Sequence, residues 1–277
     1  MSATFEPSAQ TAAPAFSQRF LVGLKESVFS LRWVAILLFL VTWQLISAAS
    51  HTGLVPSPLR VWKVMWEAFS TGLFFKHLAI SMVRILSGFV IAFLLGSTIG
   101  LLMGSRRFWD GFFQDIVVFA LSLPGLVYAL LSIVVFGLGL TAPIVAIVLA
   151  AFPFIAVNVR EGVHSLDKEM LDMCRAYRIS RWQVITKVIL PSLVPFFLAA
   201  IRIGFTITWK VAVLTEVVGA TSGIGYMIAI SFDSFSVRGI IAWAFLFGAV
   251  MLVIEYALLV PAERYFARWR PQVKQVI

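Results

Sequence analysis

Residues 116–159 read IVVFALSLPGLVYALLSIVVFGLGLTAPIVAIVLAAFPFIAVNV, 44 positions without a charged side chain between Asp115 and Arg160. As one helix rising about 1.5 Å per residue, the stretch would reach about 66 Å, twice the hydrocarbon thickness of a bilayer. It must therefore double back, and Phe136-Gly137-Leu138-Gly139-Leu140-Thr141-Ala142-Pro143 carries the glycines and proline of a tight turn. The whole chain agrees with a membrane setting. It is 61% hydrophobic and 13% charged, where a soluble domain carries about 25% charged residues, and its mean hydropathy is +0.97. So apolar a chain cannot cover itself with polar surface and lies mostly in lipid.

Working outward, Ile85–Gly104 forms a span bounded by Arg84 and the Arg106-Arg107 pair, and Trp33–Ala49 is uncharged and long enough for a first span. The small-residue end Ser47-Ala48-Ala49 also suits a cleaved signal peptide, but the polar region ahead is long for one, which favours a retained anchor. Residues 1–31 read as a loose tail, and 32–78 as the first span followed by a segment outside it. In that segment Val61-Trp62-Lys63-Val64-Met65-Trp66, after Pro56 and Pro58, predicts a short amphipathic helix on the membrane surface. Residues 79–263 form the core of spans. There a fifth span runs from near Pro191 towards Thr208, and a sixth covers roughly Ile240–Val260 after a re-entrant or loop-like segment. A polar loop, 160–191, interrupts the core, and 264–277 is a C-terminal tail. The expected fold is all-α and polytopic, with six transmembrane helices. Fifteen Lys and Arg fall on the N-terminal tail, the loop after span two, the 160–191 loop and the C-terminus; five (Arg60, Lys63, Lys76, Lys210, Arg238) fall on the other side. Positive charge stays inside, so both termini and the long loop are expected in the cytoplasm of a bacterial inner-membrane protein.

Several functions are disfavoured. The net charge of +9 suggests nucleic acid, but the basic residues punctuate apolar runs rather than cluster on one face, as a nucleic-acid binder's do. The lone Cys174 forms no internal disulfide or cysteine-based metal cluster. His51, His77 and His164 are scattered, without H-E-x-x-H, and read as loop or interfacial residues, so no metal and no cofactor is expected. Gly219-Ala220-Thr221-Ser222-Gly223-Ile224-Gly225 resembles the nucleotide-binding turn of short-chain dehydrogenases. Only 52 residues follow Gly225, too few for a doubly wound sheet, and no Tyr-x-x-x-Lys pair occurs.

The 160–191 loop reads as two short helices joined by a turn. Asp167 and Glu169 open the first, where the helix dipole favours negative charge. Met170, Cys174 and Tyr177 recur at i, i+4 and i+7, giving one apolar face. Ser180-Arg181-Trp182-Gln183 opens the second as a capping box. From periodicity alone, such a hairpin either lies on the bilayer surface or docks onto a partner in the cytoplasm.

Within it, Asp172-Met173-Cys174-Arg175-Ala176-Tyr177-Arg178, nine residues, then Val188-Ile189-Leu190-Pro191 resembles the EAA loop of binding-protein-dependent ABC permeases, E-A-A-x-x-x-G, nine residues, I-x-L-P. Asp172 stands for the acid, Met173 and Cys174 for the alanines, Arg178 for the glycine and Val188 for the isoleucine. A left-handed residue at the glycine position strains an arginine, which leaves open how the turn is built. Val55-Pro56-Ser57-Pro58, Phe136-Gly137-Leu138-Gly139 and Ser222-Gly223-Ile224-Gly225 are similar to the nitrate/sulfonate/taurine-type subfamily, over roughly residues 55–262.

The resemblance implies a MetI-like permease that pairs with a second copy. It also implies a P-loop ATPase docked on the hairpin (Glu169, Asp172, Cys174, Ala176, Arg178, Leu190, Pro191) and a periplasmic or lipid-anchored binding protein. No G-x-x-x-x-G-K-[ST] occurs, so ATP hydrolysis would fall to the partner, and the chain is expected not to be an enzyme. The expected cargo is a small anion such as a sulfonate, taurine or nitrate, with pyrimidine precursors and aromatic compounds as alternatives within the subfamily. A stand-alone secondary transporter or channel is the rival from another class; it predicts inverted repeats, which the chain does not show.

Ionisable residues in lipid face a bundle interior, a cavity or one another. Arg202, about eleven residues into span five, is a candidate either for an anionic substrate or for a carboxylate across the dimer. By resemblance Glu216 occupies the acidic position before the Ser222-Gly223-Ile224-Gly225 turn. Glu216, Ser222, Gly223 and Gly225 are therefore, with Arg202, the candidate residues of a translocation path.

Overall fold

The computed structural model describes residues 16–50 and 55–266, with side chains from Trp33 onward; His51 and the ends at 1–15 and 267–277 lie outside the described residues. Among them every regular element is helical: α1 (Phe16–Ala49), α2 (Pro58–Ser70), α3 (Leu73–Ser105), α4 (Arg107–Ser122), α5 (Gly125–Phe136), α6 (Thr141–His164), α7 (Lys168–Ala176), α8 (Arg181–Val184), α9 (Leu190–Gly219), α10 (Ile224–Asp233), α11 (Val237–Ile254) and α12 (Val260–Phe266). Single π-helical turns, Ile185–Ile189 and Glu255–Leu259, connect α8 to α9 and α11 to α12. By length and composition four helical rods can each cross a membrane, and the bent pair α4–α5 makes up to a fifth. The Trp33–Ala49 stretch is a shorter apolar segment at the end of α1.

The chain divides into two compact units, residues 1–60 and 61–277. In the first, α1 already begins at Phe16, so residues 16–31 are helical where a loose tail was expected. From within it Trp43 Nε1 donates to the Pro56 carbonyl (3.0 Å) and Ser47 Oγ to the Val55 carbonyl (2.9 Å), both beyond its end.

The amphipathic helix expected around Val61–Trp66 is α2, which buries Val61 and Ala68 and leaves Trp62 and Trp66 exposed. Gly72, at φ +75°, makes the corner into α3. That helix starts twelve residues before the expected Ile85, so Arg84 lies inside a span rather than at its edge. The apolar residues Leu78, Ile80 and Met82 ahead of Arg84 favour this longer helix.

The tightest packing joins α3 to α6. Gly88, Ala92, Gly96, Gly100 and Gly104 recur every four residues, a row of small side chains of the kind that lets membrane helices approach. A Cβ on Gly96 would stand 2.6 Å from the Phe152 carbonyl oxygen, and one on Gly100 2.5 Å from that of Ala156. The other side of α6 meets α9, where Gly204 receives Ile155 and Gly162 receives Phe196. Thus α6 is sandwiched and largely buried, with Ala146, Ile147, Ala151, Ile155, Ala156 and Val159 inaccessible. Arg160, near its end, forks onto Asp110 of α4 at 2.6 and 2.9 Å.

The turn expected near Phe136–Pro143 separates α5 from α6. Before it, however, the chain does not cross as one straight helix: α4 and α5 meet at 97°. Proline drives the residue before it out of the α region, and Leu123, before Pro124, is extended at φ −82°, ψ 130°.

The fifth rod also differs. With the π turn before it, it runs unbroken from Arg181 to Gly219, past the expected end at Thr208. Lys210 and Glu216 are the only charges among residues 209–219, too few to end it, and it stops where Ala220 turns extended. The π turn Ile185–Ile189 ends two residues before Pro191, whose missing N–H and ring disturb the ladder there, and Leu190 N–H bonds back to Ile185. The loop-like segment expected between spans five and six contains α10, which packs on α9 and α11.

Candidate functional site

The first candidate site is the α7–α8 hairpin. Asp167 caps α7, accepting from the N–H groups of Glu169 (2.9 Å) and Met170 (3.3 Å). Asp172 pairs with Arg175 at 2.8 Å on an exposed face, where such a pair contributes little. Ser180 caps α8, accepting from the Gln183 N–H at 3.4 Å, while its hydroxyl meets the Gln183 side chain at 3.0 Å. That side chain therefore bonds the hydroxyl of Ser180, not its N–H as a full capping box would have it.

The turn between the two helices keeps the glycine geometry without the glycine. Arg178 sits at φ +50°, in the left-handed region. Ile179 N–H bonds to the Cys174 carbonyl and Arg178 N–H to that of Arg175, both at 3.0 Å, the pair of bonds of a Schellman ending. A left-handed L-residue costs about 1–2 kcal/mol, part of which glycine would give back through its freer unfolded chain. Arg178→Gly is therefore expected to stabilise the hairpin by about 1 kcal/mol and slow its amide hydrogen exchange about fivefold; unchanged exchange would mean the strain is absent.

Of the expected apolar face only Cys174 is covered by the chain. Met170 and Tyr177 are exposed, as are Met173, Trp182 and Leu190, and Glu169 and Ala176 face outward beside them. Pro191 is half-buried at the start of α9.

The second site is a buried polar knot that joins α3, the end of α9 and the start of α10. Glu216 is 1% exposed and Arg84 likewise 1%. Arg84 Nη1 donates to Glu216 Oε1 at 2.8 Å and to the Ser222 carbonyl at 2.6 Å, and Nη2 to Ser222 Oγ at 3.1 Å. Ser81 Oγ lies 2.9 and 2.8 Å from the two Glu216 oxygens.

The three backbone N–H groups that open α10 each find a side chain: Gly223 on His77 Nδ1 (3.1 Å), Ile224 on Ser81 Oγ (2.9 Å) and Gly225 on Glu216 Oε2 (3.0 Å). The Glu216 carboxylate thus sits where the helix dipole favours an anion. The glycines permit the closeness: a Cβ on Gly223 (φ +110°) would stand 2.4 Å from the Glu216 carboxyl, and one on Gly225 2.5 Å from Glu216 Cβ. The dehydrogenase-like turn is a break between two helices.

Glu216, Ser222, Gly223 and Gly225 are therefore brought together, with Glu216 turned inward on its partners. Those partners are not among the candidate residues the sequence offers. His77, read as interfacial, is buried, and Arg84, read as a span edge, is the cation of the knot. Their signal was present: His77, Ser81 and Arg84 stand at i, i+4 and i+7, one polar stripe on an apolar helix.

Arg202 lies apart from this knot. It ion-pairs with Glu255, at the head of the π turn, and with Glu263 of α12 at 3.1 Å. These carboxylates belong to the same chain, not to a second copy across a dimer. The Arg202 side chain is 48% exposed. Among the described residues no group of three His, Cys, Asp or Glu is placed to hold a metal.

Residues 92–269 match the family described as "Binding-protein-dependent transport system inner membrane component". The taurine transport system permease protein TauC of Escherichia coli K12 is 28% identical over 208 residues, covering 75% of each chain. The bicarbonate transport system permease protein CmpB of Synechococcus elongatus is 28% identical over 233 residues, covering 79% of this chain and 83% of that protein. An inward facing structure of the MetNI methionine ABC transporter superposes with a TM-score of 0.55 at 22% identity, over 68% of this chain and 91% of that one, so the fold is alike.

Proposed function

Because the chain belongs to the binding-protein-dependent transport system inner membrane components, we propose that it is the permease subunit of an ABC importer that moves a small anion across a bacterial inner membrane. Two copies form the pathway between them. A binding protein delivers the solute on the outer side, and P-loop ATPase subunits dock on the α7–α8 hairpin in the cytoplasm, the side that also holds both termini.

The observation that carries the docking is the hairpin itself. Its helices are well capped, yet Met170, Met173, Tyr177 and Trp182 are left uncovered. Exposed apolar residues held on a fixed scaffold suit a protein groove. The relatives' names, taurine and bicarbonate, support a small solute with an anionic group as cargo, a sulfonate in the one and a carbonate in the other. Along the path Arg202 offers a half-open guanidinium. Its charge is shared with Glu255 and Glu263, so it attracts an anion only weakly. Glu216, Ser222, Gly223 and Gly225 act on the path indirectly, by fixing α10.

The test is a pull-down of detergent-solubilised, tagged chain against a variant carrying Asp172→Lys and Ala176→Trp, both on the exposed hairpin surface. A P-loop ATPase is expected with the parent and not with the variant. Equal capture by both would move the docking elsewhere, and no ATPase with a monodisperse parent would defeat the reading.

A further inference from the structure

We propose that Arg84 is a positioning residue of the transport cycle. Through Glu216 and Ser222 it locks the start of α10 to α3 and α9, so that these three parts move as one body. The proposal rests on the importer reading and adds a residue whose partners lie far off in sequence.

The α9 rod carries the hairpin at one end and Glu216 at the other, 39 residues from Arg181 to Gly219 without a break, or about 57 Å at about 1.5 Å per residue. A displacement at the hairpin therefore arrives at Glu216. What happens next depends on what holds α10, a ten-residue helix too short to be stable by itself. The N–H groups of Gly223, just before it, and of Ile224 and Gly225, its first two residues, bond to His77, Ser81 and Glu216.

Arg84 closes the arrangement from the other side. Its fork reaches three acceptors at once, Glu216 Oε1 on α9 and the Ser222 carbonyl and Oγ in the break before α10. A lysine would bring the charge but not the fork. A buried ion pair that serves only as scaffold can be exchanged for apolar residues without loss. One that transmits position cannot. Thr221 is exposed beside latched Ser222 and reports the position of the break.

The experiment uses Thr221→Cys in the complex with its ATPase, in nanodiscs that leave both faces open to a maleimide; native Cys174 is buried and competes little. With Arg84 present, labelling rates in the nucleotide-free and vanadate-trapped states should differ about fivefold or more, the size of a typical coupling between sites. With Arg84→Lys, and with Arg84→Met plus Glu216→Leu, the chain should still be recovered and bind the ATPase, while the two rates converge.

A parent with equal rates in both states overturns the proposal, because the break then does not move as a unit. A variant that keeps the parent's difference overturns it too, since the fork is then dispensable. If neither variant is recovered folded, Arg84 is only a structural prop and the proposal fails. A parent that binds no ATPase shows itself before any variant is made, and defeats the importer reading instead.

Discussion

Glu216→Ala should yield little folded protein. The substitution leaves the Arg84 guanidinium at 1% exposure without its carboxylate. Removing one partner of a buried pair costs about 3–5 kcal/mol, because the remaining charge stays desolvated. It also orphans the Gly225 N–H, which donates to Glu216 Oε2 at 3.0 Å. Glu216→Gln keeps an acceptor oxygen and should lose less. Arg84→Met with Glu216→Leu removes both charges and should recover most of the monodisperse protein lost in the single variant. Size-exclusion yield and thermal melting in detergent measure all three. A Glu216→Ala protein that melts with the parent would mean that the pair contributes nothing to the fold.

Gly100→Leu is the second large effect expected. Gly100 faces the backbone of α6, with the Ala156 oxygen 2.5 Å and Val159 Cβ 2.8 Å from where its Cβ would be. A carbonyl oxygen in a helix cannot step aside like the end of a flexible side chain, so α3 and α6 must separate along their most extensive contact. Overpacking of this kind costs about 3 kcal/mol or more. Gly111 of α4 provides the contrast, for a Cβ there meets nothing within 4 Å. Gly111→Ala should be neutral or stabilising by up to about 1 kcal/mol, since glycine is a poor helix former. Equal melting of Gly100→Leu and Gly111→Ala would contradict the close packing of the two helices.

Much of this fold could be read from residue pattern alone, because hydropathy and local capping are near-neighbour properties. The uncharged stretch 116–159 announced a doubling back, and Asp167 and Ser180 stood where the α7 and α8 caps form. What escaped depends on partners distant in the chain. Arg84 reads as a span edge because a charge usually marks one; the carboxylate that admits it to the interior is 132 residues away. The small residues from Gly88 to Gly104 have an obvious spacing, but which helix they receive is a tertiary fact. The bend at Pro124 was masked by its apolar flanks, since a hydropathy window averages over a proline. At Arg178 the pattern pointed to a strained turn, and the chain accepts the strain to keep the Schellman bonds.

This chain is expected to move a solute only as part of an ATP-driven assembly. The most direct measurement is taurine or bicarbonate uptake into proteoliposomes, by the chain alone and by the chain with its ATPase and binding protein. Uptake that requires all three components and ATP is the predicted result. Uptake by the chain alone, driven by an ion gradient and indifferent to ATP, would instead make the protein a stand-alone transporter.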